Sequence, residues 1–298
     1  MNNKKNKFLP FIIFLMIFIF NGCATIVYKT IPLRNIAKAK GPYFVGTQNF
    51  QIVDASRKMW FSGDIKGSRK LSVKMWYPAD NITSLKKAPY LNKHKLIGSA
   101  ISKLFGVPEA LMDRAGGVKC NSWLNAVPAN GKFPIIIYSH GHQSIKIANT
   151  SQAEEMASNG YIVVAMDHSY DAALTILDED KIIYSRSKLP ANDEEALQDS
   201  MILRVKNQLK IRTEDVSFVI DELKIMFEKD KRFSQVADFD NIGIFGHSFG
   251  GCTSIMSAYN DTRIDAVIGL DAYFLPLPKG IIKKDLNTPF VHLGQVSW

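Results

Sequence analysis

Cysteine is scarce in this sequence: Cys23, Cys120 and Cys252 are the only three in 298 residues, and they form neither a C-x-x-C pair nor a Cys/His cluster. A disulfide framework and a zinc centre are therefore excluded as organising features, and neither a metal nor a cofactor is expected. No stretch rich in Pro, Gly or Ser divides the chain, no segment repeats, and no basic and aromatic pattern of a nucleic-acid module is present. Nucleic acid is not an expected partner. What remains is ordinary globular composition, 46% hydrophobic and 22% charged, enough for a sizeable core without covalent staples.

The first 23 residues, MNNKKNKFLPFIIFLMIFIFNGC, place Lys4, Lys5 and Lys7 ahead of an apolar run from Phe8 to Phe20. That run has signal-peptide length and is short for a bilayer, so residues 1–23 are predicted to be an export signal and residues 24–298 the body. Gly22 and Cys23 resemble the lipobox of bacterial lipoproteins, with Cys23 as the lipid anchor; the alternative is an uncleaved signal anchor. Both place the protein in the cell envelope, exported and tethered to a membrane. Without the three leader lysines, 34 basic residues face 28 acidic ones, and the net charge falls from +9 to +6. The basic groups Lys29, Arg34, Lys38, Lys40 and Lys86, Lys87, Lys93, Lys95 suit an anionic lipid surface, or form a solvated face.

Along the body, PYFVGTQNFQIVD and RKLSVKMWYPAD (69–80) are expected as antiparallel edge strands. KLIGSAISKLFG (95–106) has helical spacing. FPIIIYSHG, from Phe133, is a β-branched run of the kind found in fully buried parallel strands; NTSQAEEMASNG (149–160) is expected as a capped helix, and YIVVAMDH as the next buried strand. That is one βαβ unit. Residues 172–200 form a polar excursion, followed by a long helix whose apolar face, Ile202, Val205, Leu209, Val216, Val219, Leu223 and Met226, is interrupted by Arg212. Strands NIGIFG (241–246), AVIGLDA (266–272) and TPFVHLGQV close the chain. The predicted fold class is α/β, one domain with a mostly parallel central sheet and helices on both faces.

A strand runs directly into Gly246-His247-Ser248-Phe249-Gly250, and a helix of small residues follows at once, which is the setting of a nucleophile elbow. A phosphate loop would need a Lys that is missing here, and a dinucleotide fingerprint a different glycine spacing. Ser248 is thus the candidate nucleophile. Its oxyanion would be held by the backbone N–H of Phe249 and by that of His142 in the loop SHGHQS, with Gly141 permitting close approach. The acid should end a later strand, and Asp271 does so 23 residues past Ser248, whereas Asp167 precedes the nucleophile. The base is not identified. His292 alone among the six histidines follows Asp271, but it lies within a strand pattern rather than on a loop.

GHSFGG (246–251), LDAYFLP (270–276), SHGH (139–142), NGYIVVAMDHSYDAA (159–173) and KGPYFVG (40–46) together resemble the plasma-type platelet-activating factor acetylhydrolases, a branch of the serine-dependent α/β-hydrolases. The resemblance implies the α/β-hydrolase fold, nucleophile Ser248, acid Asp271, and oxyanion donors Phe249 and His142. It implies calcium-independent hydrolysis of short or oxidised acyl groups at the second position of glycerophospholipids. Two departures stand out. The family's histidine lies beyond the segment matching TPFVHLGQV, so the C-terminal part of the domain is expected to be incomplete, and His142 stands where the family carries an apolar residue. The expected function is a serine ester hydrolase whose partners are a phospholipid or small ester and a membrane surface. Its rivals are a general short-chain or polyester esterase and a non-catalytic lipid-anchored binding protein.

Overall fold

The computed structural model describes residues 36–62, 65–106, 108–109, 117–278, 280–281 and 286–295. The leader, Cys23, Lys29 and Arg34 lie outside the described residues. Within them the chain separates into two compact units, Ile36 with Pro89–Cys120, and Ala37–Ala88 with Asn121–Trp298. The smaller unit holds α1 (His94–Phe105), which ends on the left-handed Gly106 and buries Ile97 and Ala100.

The larger unit is built on a sheet of nine strands: β1 (Phe44–Lys58), β2 (Ser68–Ala79), β3 (Lys87–Pro89), β4 (Lys119–Leu124), β5 (Phe133–Ser139), β6 (Ile162–Asp167), β9 (Ala237–His247), β10 (Ile264–Leu270) and β11 (Phe290–Leu293). Their order across the sheet is β11-β10-β9-β5-β6-β2-β1-β4-β3. The strands from β11 to β6 are mutually parallel, and β2 is antiparallel to both β6 and β1. The parity of side chains along each strand assigns them to two layers. Ile135, Ile137, Ile162, Val164, Leu71 and Ile244 join a core completed by the helices α4 (Asp199–Lys229) and α6 (Phe249–Asn260). Tyr138, Val163, Ala165, Trp76 and Phe245 face the other way, toward Ala153 and Ala157 of α2 (Thr150–Ser158). Helices on both faces of a mostly parallel sheet are what continuous apolar strands require, since each strand has two faces to cover.

Three expectations need correction. β1 and β2 are not edge strands: β1 lies between β2 and β4, and β2 between β1 and β6. Arg69 and Lys74 made β2 read as half-solvated, yet they are 0% and 1% exposed. Helix α2 has no acidic residue in its first turn and no side-chain cap, because Asn149 accepts the Tyr138 hydroxyl at 2.6 Å instead. Its Glu154 is buried and binds Asn121 and Ser122 of β4, with both Ser122 groups at 3.0 Å or less. The polar excursion contains a two-stranded hairpin, β7 (Leu174–Ile176) with β8 (Ile182–Tyr184), and a short helix α3 (Asp193–Ala196) capped by Asn192. A single turn, α5 (Lys231–Ser234), follows α4.

Candidate active site

The parallel strands β5, β6, β9 and β10 end at one edge of the sheet, which brings Ser139, Asp167, His247 and Leu270 to a common rim. Ser248 follows β9 with φ 53° and ψ −118°, a backbone conformation that costs a non-glycine residue about 1–3 kcal/mol. The strain persists because the neighbours fit nothing larger. A Cβ on Gly246 would collide with the Gly250 carbonyl, one on Gly250 with the carbonyl oxygens of Ser139 and His140, and one on Gly251 would lie 2.7 Å from the Ala272 Cβ. The turn is held by Ser248 N–H to the Leu270 carbonyl at 2.8 Å, and by the Ser248 carbonyl, which accepts from Gly251 at 3.0 Å and from Tyr273 at 3.0 Å.

The loop after β5 lies against this turn. A Cβ on Gly141 would stand 3.6 Å from the Ser248 Cβ and 3.1 Å from the His247 ring. Phe249, the other expected oxyanion donor, opens α6, where the first N–H groups have no partner within the helix. His142 presents a ring whose Nε2 is buried without a hydrogen-bond partner, and burial lowers its pKa. His140 is sealed beneath: its Nδ1 donates to the Gly141 carbonyl at 2.7 Å, its Nε2 accepts the His168 N–H at 3.2 Å, and burial keeps it neutral.

Asp271 follows β10 with φ 45°, its N–H on the Leu293 carbonyl at 2.8 Å and its carboxylate accepting the Gln295 N–H at 2.9 Å. His292 sits on β11 opposite Gly269, its Nε2 accepting the Ala272 N–H at 3.2 Å and its ring edge-on to Phe274. Among the described residues it has no hydrogen bond to Asp271 or Ser248. Ser248, Phe249, the 139–142 loop and Asp271 are thus gathered at one rim, and His292 faces the Ala272 backbone. Asp167, set aside on chain order, is engaged elsewhere, by the Lys146 ammonium at 2.5 Å and the Lys146 N–H at 2.7 Å.

Behind the rim lies a polar cluster that the sequence did not announce. Asp215 of α4 accepts from Arg69 at 2.5 and 2.9 Å, from Arg57 at 2.9 Å and from His168 Nδ1 at 2.9 Å. His168 Nε2 meets the Ser139 hydroxyl at 3.0 Å. Arg212 donates to Asp171 at 2.6 Å, to Ser139 Oγ at 3.0 Å and to the His140 carbonyl, and lies over the Phe249 ring at 4.8 Å. Arg69, His168, Asp171, Arg212 and Asp215 are all 0% exposed. The one available signal was Arg212 itself, a charge on the apolar stripe of a long helix, which is tolerated only when it is paired, as its Nη1 and Nη2 are.

A strained serine between strand and small-residue helix, at the carboxyl edge of a mostly parallel sheet with a glycine loop beside it, defines the α/β-hydrolase fold. A structural likeness agrees: a ferulic acid esterase from Streptomyces cinnamoneus superposes with a TM-score of 0.70 at 28% identity, over 88% of this chain and 68% of that one. The chain belongs to the family of platelet-activating factor acetylhydrolase, isoform II, whose sequence profile matches residues 29–298. Among relatives, the platelet-activating factor acetylhydrolase of Gallus gallus is 25% identical over 88% of this chain and 66% of its own length, and that of Canis lupus familiaris 25% over 88% and 60%. A probable 1-alkyl-2-acetylglycerophosphocholine esterase of Arthroderma benhamiae is 27% identical over 48% and 32%. The chain spans two thirds or less of the length of these curated relatives.

Proposed function

We propose that this protein is a serine carboxyl-ester hydrolase that releases short or oxidised acyl groups from the second position of glycerophospholipids. The observation that carries the reading is the Ser248 turn, with φ 53° and ψ −118° held by Gly246, Gly250 and Gly251, because such strain is retained where it presents a reacting group. Ser248 Oγ attacks the ester carbonyl, and the oxyanion is received by the N–H groups of Phe249 and His142. The alcohol then leaves, and water releases the acid from the acyl-enzyme. Asp271 orients the base that takes the Ser248 proton and later activates the water. His292 is not assigned that role, since its Nε2 lone pair is occupied by the Ala272 N–H.

The glycerophospholipid substrate is favoured by the family and by the likeness to the fungal 1-alkyl-2-acetylglycerophosphocholine esterase. Lipidation at Cys23 would hold the enzyme in the cell envelope at the surface where such esters partition. A second reading, a general esterase of small or aromatic esters, is favoured by the Streptomyces ferulic acid esterase likeness.

The test is hydrolysis of 4-nitrophenyl acetate by the chain beside Ser248→Ala, followed by a choice among a 1-alkyl-2-acetylglycerophosphocholine, a long-chain analogue and a feruloyl ester. The substitution is expected to lower kcat by a factor on the order of 10³ or more. The acetyl phospholipid is expected to be the preferred ester. Preference for the feruloyl ester would select the second reading. Folded protein with no rate above that of Ser248→Ala would overturn both and leave a binding scaffold.

A further inference from the structure

Arg212 touches both elements that would supply oxyanion donors, the 139–142 loop and Phe249, although it sits on α4 behind them. We propose that Arg212, backed by Asp215 and His168, is a positioning residue that orients the backbone N–H groups of the oxyanion loop. The proposal rests on the hydrolase reading above and adds a group to it that does not meet the substrate.

In a trans peptide the carbonyl and the following N–H point in opposite directions, so fixing one end fixes the other. The His140 carbonyl is gripped from the buried side by Arg212 Nη2, which turns the Gly141 N–H away from the helix. The next plane is pinned the same way: the Gly141 carbonyl accepts from His140 Nδ1 at 2.7 Å and from the Ser144 N–H at 3.1 Å, which turns the His142 N–H to the opposite side. The His140 ring is itself held by the His168 N–H, and the His168 ring by Asp215 and Ser139. Residues 212 and 215, three apart on one face of α4, therefore anchor both planes. The Ser139 carbonyl packs on Gly250, so the loop is referenced directly to the nucleophile turn.

Asp215, His168 and Ser139 reproduce the spacing of a Ser-His-Asp chain, 2.9 and 3.0 Å. All three are 0% exposed, and the Ser139 oxygen also receives Arg212. No ester reaches them. The chain acts as a bracket: the Asp215 carboxylate accepts a hydrogen bond from the His168 Nδ1–H, His168 Nε2 is left as an acceptor, and the Ser139 hydroxyl donates to it while accepting from Arg212. Arg212 in turn needs its planar fork, because Asp171, Ser139 and the His140 carbonyl lie in different directions that one ammonium cannot serve together.

Arg212→Lys keeps the charge and loses the fork. Its kcat on 4-nitrophenyl acetate is expected to fall by about 10² to 10³ with KM within about twofold, the signature of an interaction made only in the transition state. A trifluoromethyl ketone reports the same state: Ser248 Oγ adds to its carbonyl carbon, the hydroxyl proton passes to the base, and the carbonyl electron pair becomes an oxyanion. Its affinity should fall by the same factor as kcat. Backbone amide exchange over residues 140–142 should quicken. Ser139→Ala, which removes the contacts to His168 and Arg212 but no charge, should lose about three- to tenfold in kcat with a melting midpoint lowered by only a few degrees, and serves if Arg212→Lys does not fold. An active wild type whose Arg212→Lys and Ser139→Ala forms keep kcat and ketone affinity within about twofold would overturn the proposal. If the wild type itself shows no Ser248-dependent rate, the hydrolase reading falls, and amide exchange decides alone: faster exchange at 140–142 in Arg212→Lys upholds the positioning role, unchanged exchange refutes it.

Discussion

Three glycines around Ser248 do separate jobs, and they differ in what a single methyl group would cost. At Gly250 a Cβ would meet two carbonyl oxygens of the 139–140 backbone, which cannot move without dislodging the loop from the turn. At Gly243, in the same strand as the turn, a Cβ would find only ordinary contacts at 3.8 and 4.0 Å. Gly250→Ala is therefore expected to destabilise by more than about 3 kcal/mol or to prevent folding, and Gly243→Ala to change stability by less than about 1 kcal/mol. Urea unfolding of the two variants checks this, and equal effects would show that backbone crowding does not set the turn. The turn was legible in the sequence because its constraint is local, with glycines at fixed offsets from one serine. Arg212 was visible only as an interruption of an apolar stripe, because its partners Ser139, His140 and Asp171 are 41 to 73 residues away.

At the scale of elements, the cluster joining β5, β6 and α4 makes the fold sensitive to acid. Burial, aided by the Arg212 charge, lowers the pKa of His168 from the ordinary 6.5 to about 4, and burial holds His140 well below 6.5 too. A histidine depressed in the folded state contributes no penalty above pH 6.5, where both states are neutral. As pH falls from 6.5 toward 4, the unfolded chain binds protons that the folded chain refuses, and stability is lost. His168 alone accounts for a loss on the order of 3 kcal/mol by pH 4. Burial pushes the Asp215 carboxyl up, but Arg69 and His168 outweigh it and hold it below its usual range, so its contribution is lost only as pH falls through about 4 and lower. The urea midpoint is expected to be flat from pH 8 to 7 and to drop steeply between pH 6.5 and 5. A midpoint equal at pH 7 and pH 5 would mean that these rings are not buried as neutral groups. Periodicity had identified the elements themselves, β5, α2, β6, α4, β9 and α6. It could not identify their polar contacts, since hydropathy patterning treats Ser139, His168 and Asp215 as exposed residues at strand and helix positions.

Across the whole molecule, the layers were readable and the strand order was not. Continuous apolar runs predicted a mostly parallel sheet covered on both sides, but the place of β2 between β6 and β1 depends on Arg69 and Lys74 being buried, which composition argues against. The opposite side of the sheet ends in β11, where Phe290, Val291 and Leu293 are 39%, 52% and 59% exposed, beside Ile268 of β10 at 41%. Among the described residues β11 is an edge strand with apolar side chains on both faces, and such an edge is a template for pairing with another chain, against which a lysine is the usual protection. Val291 and Leu293 share one face by alternation, away from His292 and its bond to Ala272. Val291→Lys with Leu293→Lys is therefore expected to suppress concentration-dependent self-association of the 298-residue chain, measured by light scattering, with the melting midpoint within a few degrees of the parent. Unchanged scattering would show that the β11 edge is not what limits solubility. Loss of the melting transition would show instead that this strand, exposed as it is, holds β10 and with it Asp271 in place.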